Sequence, residues 1–415
     1  MKILKGAVLL GQSGGPTSVI NASAAGVFLT ALNSEHVTNV YGAIHGVKGI
    51  LNEDFYDMAK EDPKELERLK NTPSSAIGSV RYKLEDPAVD DTDYRRLLEV
   101  FKKYNIRYFF YNGGNDSMDT AHKINEFFKN SGYDCRIMGV PKTIDNDLNG
   151  TDHSPGFASA AKYIATTFME LYHDATVYNT PQVTIVEVMG RNAGWLTASA
   201  QLASEKGQGP DLIYLPEVPF DIDLFNQEVK ELVEKQGKVI VAISEGIQTK
   251  DGKYIPELFK ELSTDSFGHA QLGGAAQVLT EQIQKDLNVK VRAIEFSLMQ
   301  RSAAHLASRV DIDEAFNAGK LAVEAALNGE SGKMVGFKRL SSSPYKMEYI
   351  FVPLAEAANH ERKVPLEWIL PNGKGLTREF VEYALPLIQG DAGLEYEDGL
   401  PRFAKLKKVP AKKIK

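Results

Sequence analysis

The chain has 415 residues, of which 43% are hydrophobic and 25% are charged, and its formal net charge is −7. This composition is typical of a globular protein with roughly two to three domains, and the acidic balance argues against broad nucleic-acid or membrane binding, which needs a basic excess. The single cysteine, Cys135, excludes an internal disulfide and a cysteine-based zinc site. The chain has no long apolar run, and its first residues turn into glycines too early for a signal peptide, so we expect a cytoplasmic protein.

Five short apolar runs, each followed by glycine or polar turn residues, alternate with segments of helical periodicity. The runs predict strands at 7–10, 106–111, 137–140, 183–188 and 239–243. Apolar residues recur at helical spacing in two of the intervening segments, namely Ala121, Ile124 and Phe128, and Ala161, Ile164, Phe168 and Leu171. Strands that alternate with helices predict an α/β fold with two doubly wound (Rossmann-like) parallel-sheet domains.

Turn-rich segments divide the predicted fold into domains. We expect one domain to comprise residues 1–155 and about 300–345, and a second to comprise residues 156–299. Prolines at 344, 353, 365, 371 and 386 interrupt the pattern and predict a helical C-terminal extension, made of short helices, over 346–415. The strongly basic end of that extension, 405–415, is expected to be a solvated tail.

Two polar segments follow the second and third predicted strands and carry the strongest chemical signal. Residues 113–117 read Gly-Gly-Asn-Asp-Ser, which suits a turn whose backbone N–H groups face an anion at the start of a helix. Residues 141–147 read Pro-Lys-Thr-Ile-Asp-Asn-Asp, in which one carboxylate can hold Mg²⁺ while the other accepts a proton. Because ligands of such sheets bind at the carboxyl ends of the strands, the two segments predict a phosphoryl-transfer site.

Three further turns place polar groups at predicted strand ends. The turn at 11–16, Gly-Gln-Ser-Gly-Gly-Pro, can present backbone donors to a phosphate, although it matches neither the dinucleotide fingerprint nor the Walker lysine loop. Arg191 follows the fourth strand and Glu245 follows the fifth, and a guanidinium binds phosphate bidentately while a carboxylate accepts sugar hydroxyls. Taken singly, the turn at 11–16 is equally compatible with a structural strand-to-helix turn, and Arg191 and Glu245 are compatible with surface charges. The missing fingerprint makes a nicotinamide dehydrogenase the least favoured alternative.

In this order the segments resemble the phosphofructokinase family over roughly residues 5–340. The matching motifs are Gly14-Gly15, Gly-Gly-x-x-Ser at 113–117, Thr143-Ile144-Asp145-Asn146-Asp147, Val-Glu-Val-Met-Gly-Arg at 186–191, Glu245-Gly246 and Gln300-Arg301. The resemblance implies that the domain at 1–155 and 300–345 binds the phosphoryl donor and that the domain at 156–299 binds fructose 6-phosphate. It also implies Mg²⁺ as the cofactor and a homodimer or homotetramer with its active site at the subunit interface.

Two positions separate the donor classes of this family. ATP-dependent members have glycine where this chain has Asp116 and Lys142, whereas pyrophosphate-dependent members have the acidic residue and the lysine. A carboxylate at 116 repels the α-phosphate of a nucleotide, and the Lys142 ammonium neutralises the compact charge of pyrophosphate. The resemblance therefore implies reversible transfer from pyrophosphate to the 1-hydroxyl of fructose 6-phosphate, giving fructose 1,6-bisphosphate and phosphate. The alternatives are an ATP-dependent phosphofructokinase and an inert sugar-phosphate-binding homologue.

The resemblance also implies a role for each matching residue. Asp145 would act as the general base, Thr143 would orient the transferring group, and Lys142 would neutralise the donor. The implied metal ligands are Asn115 and Asp147, and the implied donor-binding residues are Gly14, Arg81 and Asp116. The sugar phosphate would be bound by Thr143, Asp145, Met189, Gly190, Arg191, Glu245 and Arg301, and by Arg292 of a neighbouring subunit.

Some positions depart from the family pattern. Asn115 stands where the family has a Mg²⁺-linked aspartate, Gln182 where it has a second interface arginine, and Leu298 where it has an aromatic residue or a histidine. The cations that could compensate for Gln182 are Arg309, Arg339 and Lys346. Ala25 and Leu29 stand where bacterial ATP-dependent members carry effector-binding arginines, so we expect no activation by ADP of that kind.

Overall fold

The computed structural model describes residues 3–258, 273–358 and 360–414, and the chain divides into two compact units. The first unit comprises Met1–Ser159, Arg301–Glu361 and Gly390–Lys415, and the second comprises Ala160–Gln300 and Arg362–Gln389. The chain therefore leaves each unit and later returns to it. Residues after 345, which the prolines predict to form one extension, contribute to both units.

Strands and helices alternate through the described residues. The strands are β1 (Gly6–Gln12), β2 (Val37–Ala43), β3 (Phe55–Asp57), β4 (Ile106–Gly113), β5 (Arg136–Pro141), β6 (Gln182–Val188), β7 (Leu212–Tyr214), β8 (Lys238–Ser244), β9 (Lys290–Glu295), β10 (Lys333–Ser342), β11 (Tyr345–Pro353), β12 (Tyr396–Glu397) and β13 (Leu400–Pro401). The α-helices are α1 (Ile20–Leu32), α2 (Gly46–Leu51), α3 (Pro63–Arg68), α4 (Thr92–Lys103), α5 (Asn115–Asn130), α6 (Phe157–Thr176), α7 (Trp195–Ala198), α8 (Gln201–Ser204), α9 (Ile222–Gln236), α10 (Ala275–Asp286), α11 (Arg309–Leu327), α12 (Leu354–Ala357) and α13 (Arg378–Ala384). Short 3₁₀ helices lie at Met58–Lys60, Leu69–Asn71, Ile255–Leu258, Ser297–Arg301, Ala304–Leu306, Leu366–Trp368, Pro371–Gly373 and Leu385–Ile388.

The first unit is built on a seven-stranded sheet with the order β11-β10-β5-β4-β1-β2-β3. Its five inner strands are parallel, whereas the edge strands β3 and β11 pair antiparallel to their neighbours. Along β1, Ala7 and Leu9 belong to one buried cluster and Val8 and Leu10 to another, so a hydrophobic core covers each face of the sheet. Burial on both faces explains why β1 reads as a continuous apolar run.

The second unit is built on a four-stranded parallel sheet with the order β7-β8-β6-β9. Its core joins the inner strands to the helices beside them, with Val183, Ile185 and Val241 packed together with Phe225 and Leu279. Both sheets therefore have the α/β architecture that the alternation of strands and helices predicts. Among the described residues, no helix combines the length and the apolar character needed to cross a bilayer.

The five predicted strands are all present, as β1, β4, β5, β6 and β8. The predicted apolar face of α5 is buried at Ala121, Ile124 and Phe128. Helix α5 begins at Asn115 with Gly114 as its N-cap, and no side chain caps it. Asn115 therefore lies in the first helical turn, which leaves its side chain available for another partner.

The prediction of short helices from residue 345 onward is wrong for its first part. Residues Tyr345–Pro353 form strand β11, which pairs antiparallel with β10. Tyr345, Met347, Tyr349 and Phe351 alternate along this segment, and such aromatic and bulky residues at period two favour a strand. The short helices that the prolines predict occur only later in the chain, where α12 and α13 are four and seven residues long.

The prediction of a solvated basic tail is confirmed for its side chains, because the lysines at 405, 407, 408, 412 and 413 are exposed, but the backbone of the tail is bound to the first unit. The backbone amide of Asp57 donates to the Val409 carbonyl oxygen at 2.9 Å, and the Ala411 amide donates to the Phe55 carbonyl oxygen at 2.8 Å. The tail thus runs along β3, whose outer edge would otherwise present unpaired backbone groups. The carboxylate of Glu61 also accepts hydrogen bonds from two tail amides, at 2.6 and 2.7 Å.

Candidate active site

Three neighbouring strands of the first unit, β5, β4 and β1, end at the same edge of its sheet. Their last residues are in register, with Gln12 opposite Asn112 and Gly113 opposite Pro141. The segments that follow these strands are therefore neighbours in space. They are the glycine turn after β1, the start of α5 after β4, and the loop that begins at Lys142 after β5.

The Lys142 ammonium lies against the glycine turn. Its side chain is 4% exposed, and Nζ donates a hydrogen bond of 2.6 Å to the carbonyl oxygen of Gly15. Gly14 has a φ of +77°, and a Cβ at that position would lie 3.2 Å from the Lys142 Nζ. The turn therefore needs glycine both for its backbone conformation and to admit the ammonium.

The loop after β5 carries Thr143 and Asp145 and is closed on itself. The Asp145 backbone amide donates to the Thr143 hydroxyl at 3.1 Å, and that hydroxyl lies 3.5 Å from an Asp145 carboxylate oxygen. The Thr143 amide donates to the Pro155 carbonyl oxygen at 3.1 Å. Asn146, with a φ of +57°, turns its side chain inward, where its Oδ1 accepts from the Ser154 amide at 2.9 Å. These bonds hold the hydroxyl and the carboxylate side by side.

Asn115 and Asp147 form a pair of polar side chains beside that loop. The Asn115 amide nitrogen donates to Asp147 Oδ2 at 2.9 Å, while the Oδ1 atoms of both residues are buried and accept no hydrogen bond. A buried polar atom without a partner costs about 1–3 kcal/mol. Amide and carboxylate oxygens are ligands that a hard divalent cation prefers, so these two residues fit such an ion. In the described part of the chain no group of three or more His, Cys, Asp or Glu side chains has metal-ligand geometry.

The buried charges of this site shift one another's titration. Burial lowers the pKa of Lys142 to about 8, and the nearby Arg301 and Arg81 guanidinium groups lower it as well, against the opposing effect of Asp145. Burial raises the pKa of Asp147, and the neighbouring Asp145 carboxylate raises it further. A bound polyanion would favour the charged lysine, and a bound cation would favour the charged Asp147.

Of the remaining predicted first-unit residues, Arg301 and Arg81 lie near the glycine turn and Lys142, and Asp116 lies in the first turn of α5. A Cβ at Gly15 would lie 2.9 Å from an Arg301 guanidinium nitrogen, so Arg301 also approaches this turn. Arg81 is exposed, and Asp116 is exposed in the first turn of α5, next to Asn115. The first unit thus brings together the predicted catalytic, donor-binding and metal-binding residues with Arg301.

In the second unit, Met189, Gly190, Arg191 and Glu245 lie together after strands β6 and β8. The Gly190 amide donates to a Glu245 carboxylate oxygen at 3.2 Å, and the Ser244 hydroxyl donates to the Gly190 carbonyl oxygen. Gly190 has a φ of +136°. The Nε atom of Arg191 is buried and has no hydrogen-bond partner. An arginine beside a carboxylate at strand ends can bind a phosphate and a hydroxyl of one ligand.

Arg292 lies apart from that cluster. It sits on β9 opposite Thr184, three positions before the end of their pairing, and its side chain is 41% exposed with Asp174 as a distant partner at 3.9 Å. Gln182, at the position of the second interface arginine, is buried at the start of β6. An exposed arginine on an edge strand is available to a neighbouring molecule, whereas buried Gln182 is not.

The candidate compensating cations lie in the first unit, and two of them have close ion-pair partners. Arg339 pairs with Asp152 at 2.9 Å, and Arg309 pairs with Asp313 at 3.0 Å. Lys346 is exposed on β11. Arg339 is therefore part of a buried network and does not stand in for the missing arginine.

Sequence reasoning missed several residues that shape the site. Gln300, which is fully buried, accepts a hydrogen bond from the Met189 amide at 3.3 Å through its Oε1. Ser244 holds the Gly190 carbonyl, and Asn146 closes the loop that carries Asp145. Gln300 precedes Arg301 in a family motif, which was the one signal available for it. Asn146 likewise lies inside a family motif, at 143–147, whereas no pattern pointed to Ser244, whose role depends on the backbone position of Gly190.

The fold and these clusters define a doubly wound α/β protein with basic side chains and a cation-compatible pair of oxygens at the strand ends of its first unit. The chain belongs to the phosphofructokinase family, whose sequence model matches residues 7–326. The family resemblance and the fold class predicted from the sequence are thereby confirmed. The matched range ends well before the C-terminus, so α12, α13 and the tail lie outside it.

The chain is similar over almost its whole length to proteins of known activity. It is 45% identical over 417 residues to the pyrophosphate–fructose 6-phosphate 1-phosphotransferase of Xanthomonas campestris, with 99% of this chain and 98% of that protein covered. It is 43% identical over 401 residues to the enzyme of the same name from Halomonas elongata, with 96% and 95% covered. The crystal structure of the pyrophosphate-dependent phosphofructokinase from Nitrosospira multiformis matches with a TM-score of 0.89 at 37% identity, covering 98% of each chain.

Proposed function

We propose that this chain is a phosphotransferase that moves a phosphoryl group reversibly from pyrophosphate to the 1-hydroxyl of fructose 6-phosphate, giving fructose 1,6-bisphosphate and phosphate. The observation that carries the proposal is the buried Lys142 ammonium, 2.6 Å from the Gly15 carbonyl oxygen. It puts a positive charge at the turn where a compact diphosphate needs one, while Asp116 nearby disfavours the α-phosphate of a nucleotide. The names of the two relatives at 43–45% identity support the same donor.

The chemical step follows from the first-unit residues. Asp145 accepts the proton of the sugar 1-hydroxyl, and the resulting oxygen attacks the nearer phosphorus of pyrophosphate in line. The bond from that phosphorus to the bridging oxygen breaks, and phosphate leaves with the electron pair. The Thr143 hydroxyl orients the transferring group, while Lys142, Arg81 and the backbone at Gly14 balance the charge of the donor. Phosphoryl transfer needs mainly positioning and charge stabilisation, which these groups supply.

A divalent metal fits this scheme, and we take Mg²⁺ as the ion. Asn115 and Asp147 would hold it through the two buried Oδ1 atoms that lack a hydrogen-bond partner. When bound, the ion would offset the negative charge of the phosphate oxygens. Because Mg²⁺ commonly takes one or two protein ligands together with phosphate oxygens and waters, two protein oxygens are enough.

The second-unit cluster is proposed to bind the sugar phosphate. Arg191 supplies a guanidinium, Glu245 accepts sugar hydroxyls, and Met189 and Gly190 shape the turn between them. Arg292 is too far back along β9 to join this cluster, and it is exposed. We therefore assign it to the 6-phosphate in a neighbouring subunit, which requires a homodimer or a homotetramer. By its place in the family motif Gln300-Arg301, Arg301 is also assigned to the sugar phosphate.

The setting of the reaction follows from its substrates. Fructose 6-phosphate and pyrophosphate are small anionic metabolites of the cytoplasm, so we infer a cytoplasmic enzyme that acts in both glycolytic and gluconeogenic directions. Pyrophosphate and a sugar phosphate ester differ less in transfer potential than ATP and that ester, which makes the reaction reversible. Neither nucleic acid nor membrane is a partner in this proposal.

The proposal is tested by measuring initial rates with pyrophosphate and with ATP separately, at equal concentrations of fructose 6-phosphate and Mg²⁺. We expect turnover with pyrophosphate and, with ATP, a rate lower by at least about two orders of magnitude. Turnover with ATP alone would identify the ATP-dependent alternative. Binding of fructose 6-phosphate without turnover from either donor would identify the inert homologue.

A further inference from the structure

The segment Arg362–Gln389 belongs to the second unit, although it follows the matched family range 7–326 and a stretch of the first unit. It contains α13 and several short 3₁₀ helices. This returning segment packs within the unit that carries Gly190 and Arg191. It bonds to Trp195 and shares the Glu217 carboxylate with Gly194, both immediately after the turn that carries the proposed sugar-phosphate ligands, and it also contacts Gln201, Glu205 and Ile213.

One carboxylate oxygen joins the segment to that turn. Glu217 Oε1 accepts a hydrogen bond of 2.8 Å from the Gly194 amide and one of 3.0 Å from the Val364 amide. Gly194 is the residue before α7, and it packs so closely on the Glu217 region that a Cβ there would lie 2.6 Å from Glu217 Oε2. Burial raises the pKa of Glu217, although the two hydrogen bonds from the Gly194 and Val364 amides act to lower it. The 189–194 turn and the returning segment therefore share one acceptor.

An aromatic cluster makes the second connection. Trp195, which is 2% exposed, donates its indole N–H to the Arg362 carbonyl oxygen at 2.9 Å. The Arg362 guanidinium carbon lies 4.5 Å from the centre of the Trp195 ring, and the same guanidinium donates to the Tyr383 hydroxyl at 3.0 Å. Trp368 and Tyr383 contact Trp195 with ring centres 6.1 and 5.2 Å away. Such cation–π and edge contacts fix the orientation of a buried ring.

The turn is rigid on its other side as well. A Cβ at Gly246 would lie 1.9 Å from the Arg191 carbonyl oxygen, and a Cβ at Gly190 would lie 2.7 Å from the Ala193 carbonyl oxygen. The turn is thus held between the β8 end and the Glu217 and Trp195 contacts. In such close packing, a displacement of Trp195 would be transmitted along the turn toward Arg191.

We propose that Arg362–Gln389 is a positioning element of the sugar-phosphate site, acting through Glu217 and Trp195 on the turn that carries Arg191. This proposal rests on the proposed function of that turn. It assigns a role to a segment outside the family match, and it makes Glu217 and Arg362 residues that set the affinity for the sugar phosphate but not for pyrophosphate. Neither residue is expected to touch a substrate.

The first test separates the two Michaelis constants. Glu217→Leu removes the shared acceptor and leaves two buried N–H groups unsatisfied. The KM for fructose 6-phosphate should therefore rise on the order of tenfold. The KM for pyrophosphate should stay within about twofold of its original value. Glu217→Gln keeps an acceptor oxygen and should restore the original KM. The matched control is Glu234→Leu on α9, an exposed glutamate outside the returning segment, and it should change neither constant. A parallel rise of both constants, or no rise in folded Glu217→Leu, would overturn the proposal.

The second test uses the unsubstituted enzyme and does not depend on a variant that folds. The chain has two tryptophans, Trp195 and Trp368, and both belong to this cluster. Fructose 6-phosphate alone should therefore change the intrinsic tryptophan fluorescence with a saturable dependence, and pyrophosphate alone should not. The same titration on Trp368→Phe assigns the signal to Trp195. No response to the sugar phosphate, or an equal response to pyrophosphate, would contradict the proposal. Failure of the proposed function is a distinct result, read from absent turnover with pyrophosphate.

Discussion

The side-chain amide of Asn115 donates a hydrogen bond of 2.9 Å to one carboxylate oxygen of Asp147. An aspartate at 115 would instead face Asp147 as a second negative charge. The asparagine therefore supports the Asp147 carboxylate in the absence of a cation and still offers its own oxygen to one. The family departure at this position reduces the charge of the proposed metal site without removing a potential ligand.

Replacing that asparagine tests the assignment of the metal site. Asn115→Asp adds a second carboxylate, so the Mg²⁺ concentration for half-maximal rate should fall by about tenfold at neutral pH. The control is Asp119→Asn on the same helix, where the carboxylate pairs with Lys123 at 2.7 Å. The rate is measured against total Mg²⁺ for each protein. An unchanged Mg²⁺ dependence in Asn115→Asp would remove residue 115 from the metal site.

The lowered pKa of Lys142, about 8 in the free enzyme, predicts a pH dependence for pyrophosphate use. The ammonium is charged below that value and neutral above it, so kcat/KM for pyrophosphate should fall as the pH rises through about 8. Bound pyrophosphate favours the charged form, so the fall in kcat should come at a higher pH. Lys123→Met, which removes a surface lysine, should leave the profile unchanged. A flat kcat/KM for pyrophosphate between pH 7 and about 10 would contradict the charge role of Lys142.

The donor preference should respond to the two residues that separate the family's classes. In Asp116→Gly with Lys142→Gly, the repulsive carboxylate and the donor ammonium are both absent, so the pyrophosphate rate should fall by about 100-fold or more and the ATP rate should rise. The Asp116→Gly single variant should keep most of its pyrophosphate activity, because Lys142 is intact. The ratio of kcat/KM for the two donors measures the effect. A double variant that keeps its original ratio would show that neither residue selects the donor.

Asp145 is the proposed base, and its loss should stop chemistry without unfolding the chain. The Asp145 backbone amide bonds to Thr143, and this bond does not need the carboxylate. Asp145→Ala should therefore lower kcat by roughly 10² to 10⁴ while circular dichroism and the melting temperature stay near their original values. Asp145→Ala with near-normal kcat would refute the base assignment.

A buried network behind the catalytic loop predicts how stability depends on pH. His153 is 1% exposed, and its ring nitrogens lie 2.8 Å from an Asp152 carboxylate oxygen and 2.6 Å from a Glu314 carboxylate oxygen. Burial alone would lower the pKa of His153, but these carboxylates raise it from the ordinary 6.5 to about 9. Arg339 pairs with Asp152, and the Tyr345 hydroxyl donates to Glu314. Because the folded-state pKa is raised, the stabilisation is complete below about pH 6.5 and is lost as the pH rises through about 9.

His153→Gln removes this dependence. Taking one partner out of a buried charge pair costs about 3–5 kcal/mol, so the melting temperature at pH 7 should fall and its decline toward pH 9 should become shallower. His173→Gln, at an exposed position near the end of α6, is the control and should change neither. Equal melting curves for His153→Gln and the original protein across this pH range would show that the network does not stabilise the fold.

Local sequence patterns were enough to predict five inner strands and the groups that follow them, but not the inner strands β2 and β10. β1, β4, β5, β6 and β8 are buried on both faces, so each reads as an apolar run that ends in a polar turn. Lys142, Asp145 and Asp147 of the first unit could be assigned to one site in advance, because they follow one strand closely in sequence and the parallel strands of a sheet end at the same edge.

Features that depend on distant pairing could not be predicted. β9 reads Lys-Val-Arg-Ala-Ile-Glu and is an exposed edge strand, so its charged residues interrupt the apolar run that would have predicted a strand. β11 and the tail beside β3 need partners from far along the chain. The hydrogen bonds that link Gly194 through Glu217 to Val364 likewise depend on the returning segment, whose position no local sequence pattern predicts.

The central claim is that pyrophosphate, rather than ATP, donates the phosphoryl group, and one reaction tube can test it. The enzyme is mixed with fructose 6-phosphate, Mg²⁺, pyrophosphate and ATP together and followed by phosphorus NMR. We predict that the pyrophosphate signal falls as those of orthophosphate and fructose 1,6-bisphosphate rise together, while the three ATP signals keep their intensity. Growth of ADP signals with pyrophosphate unchanged would contradict the account.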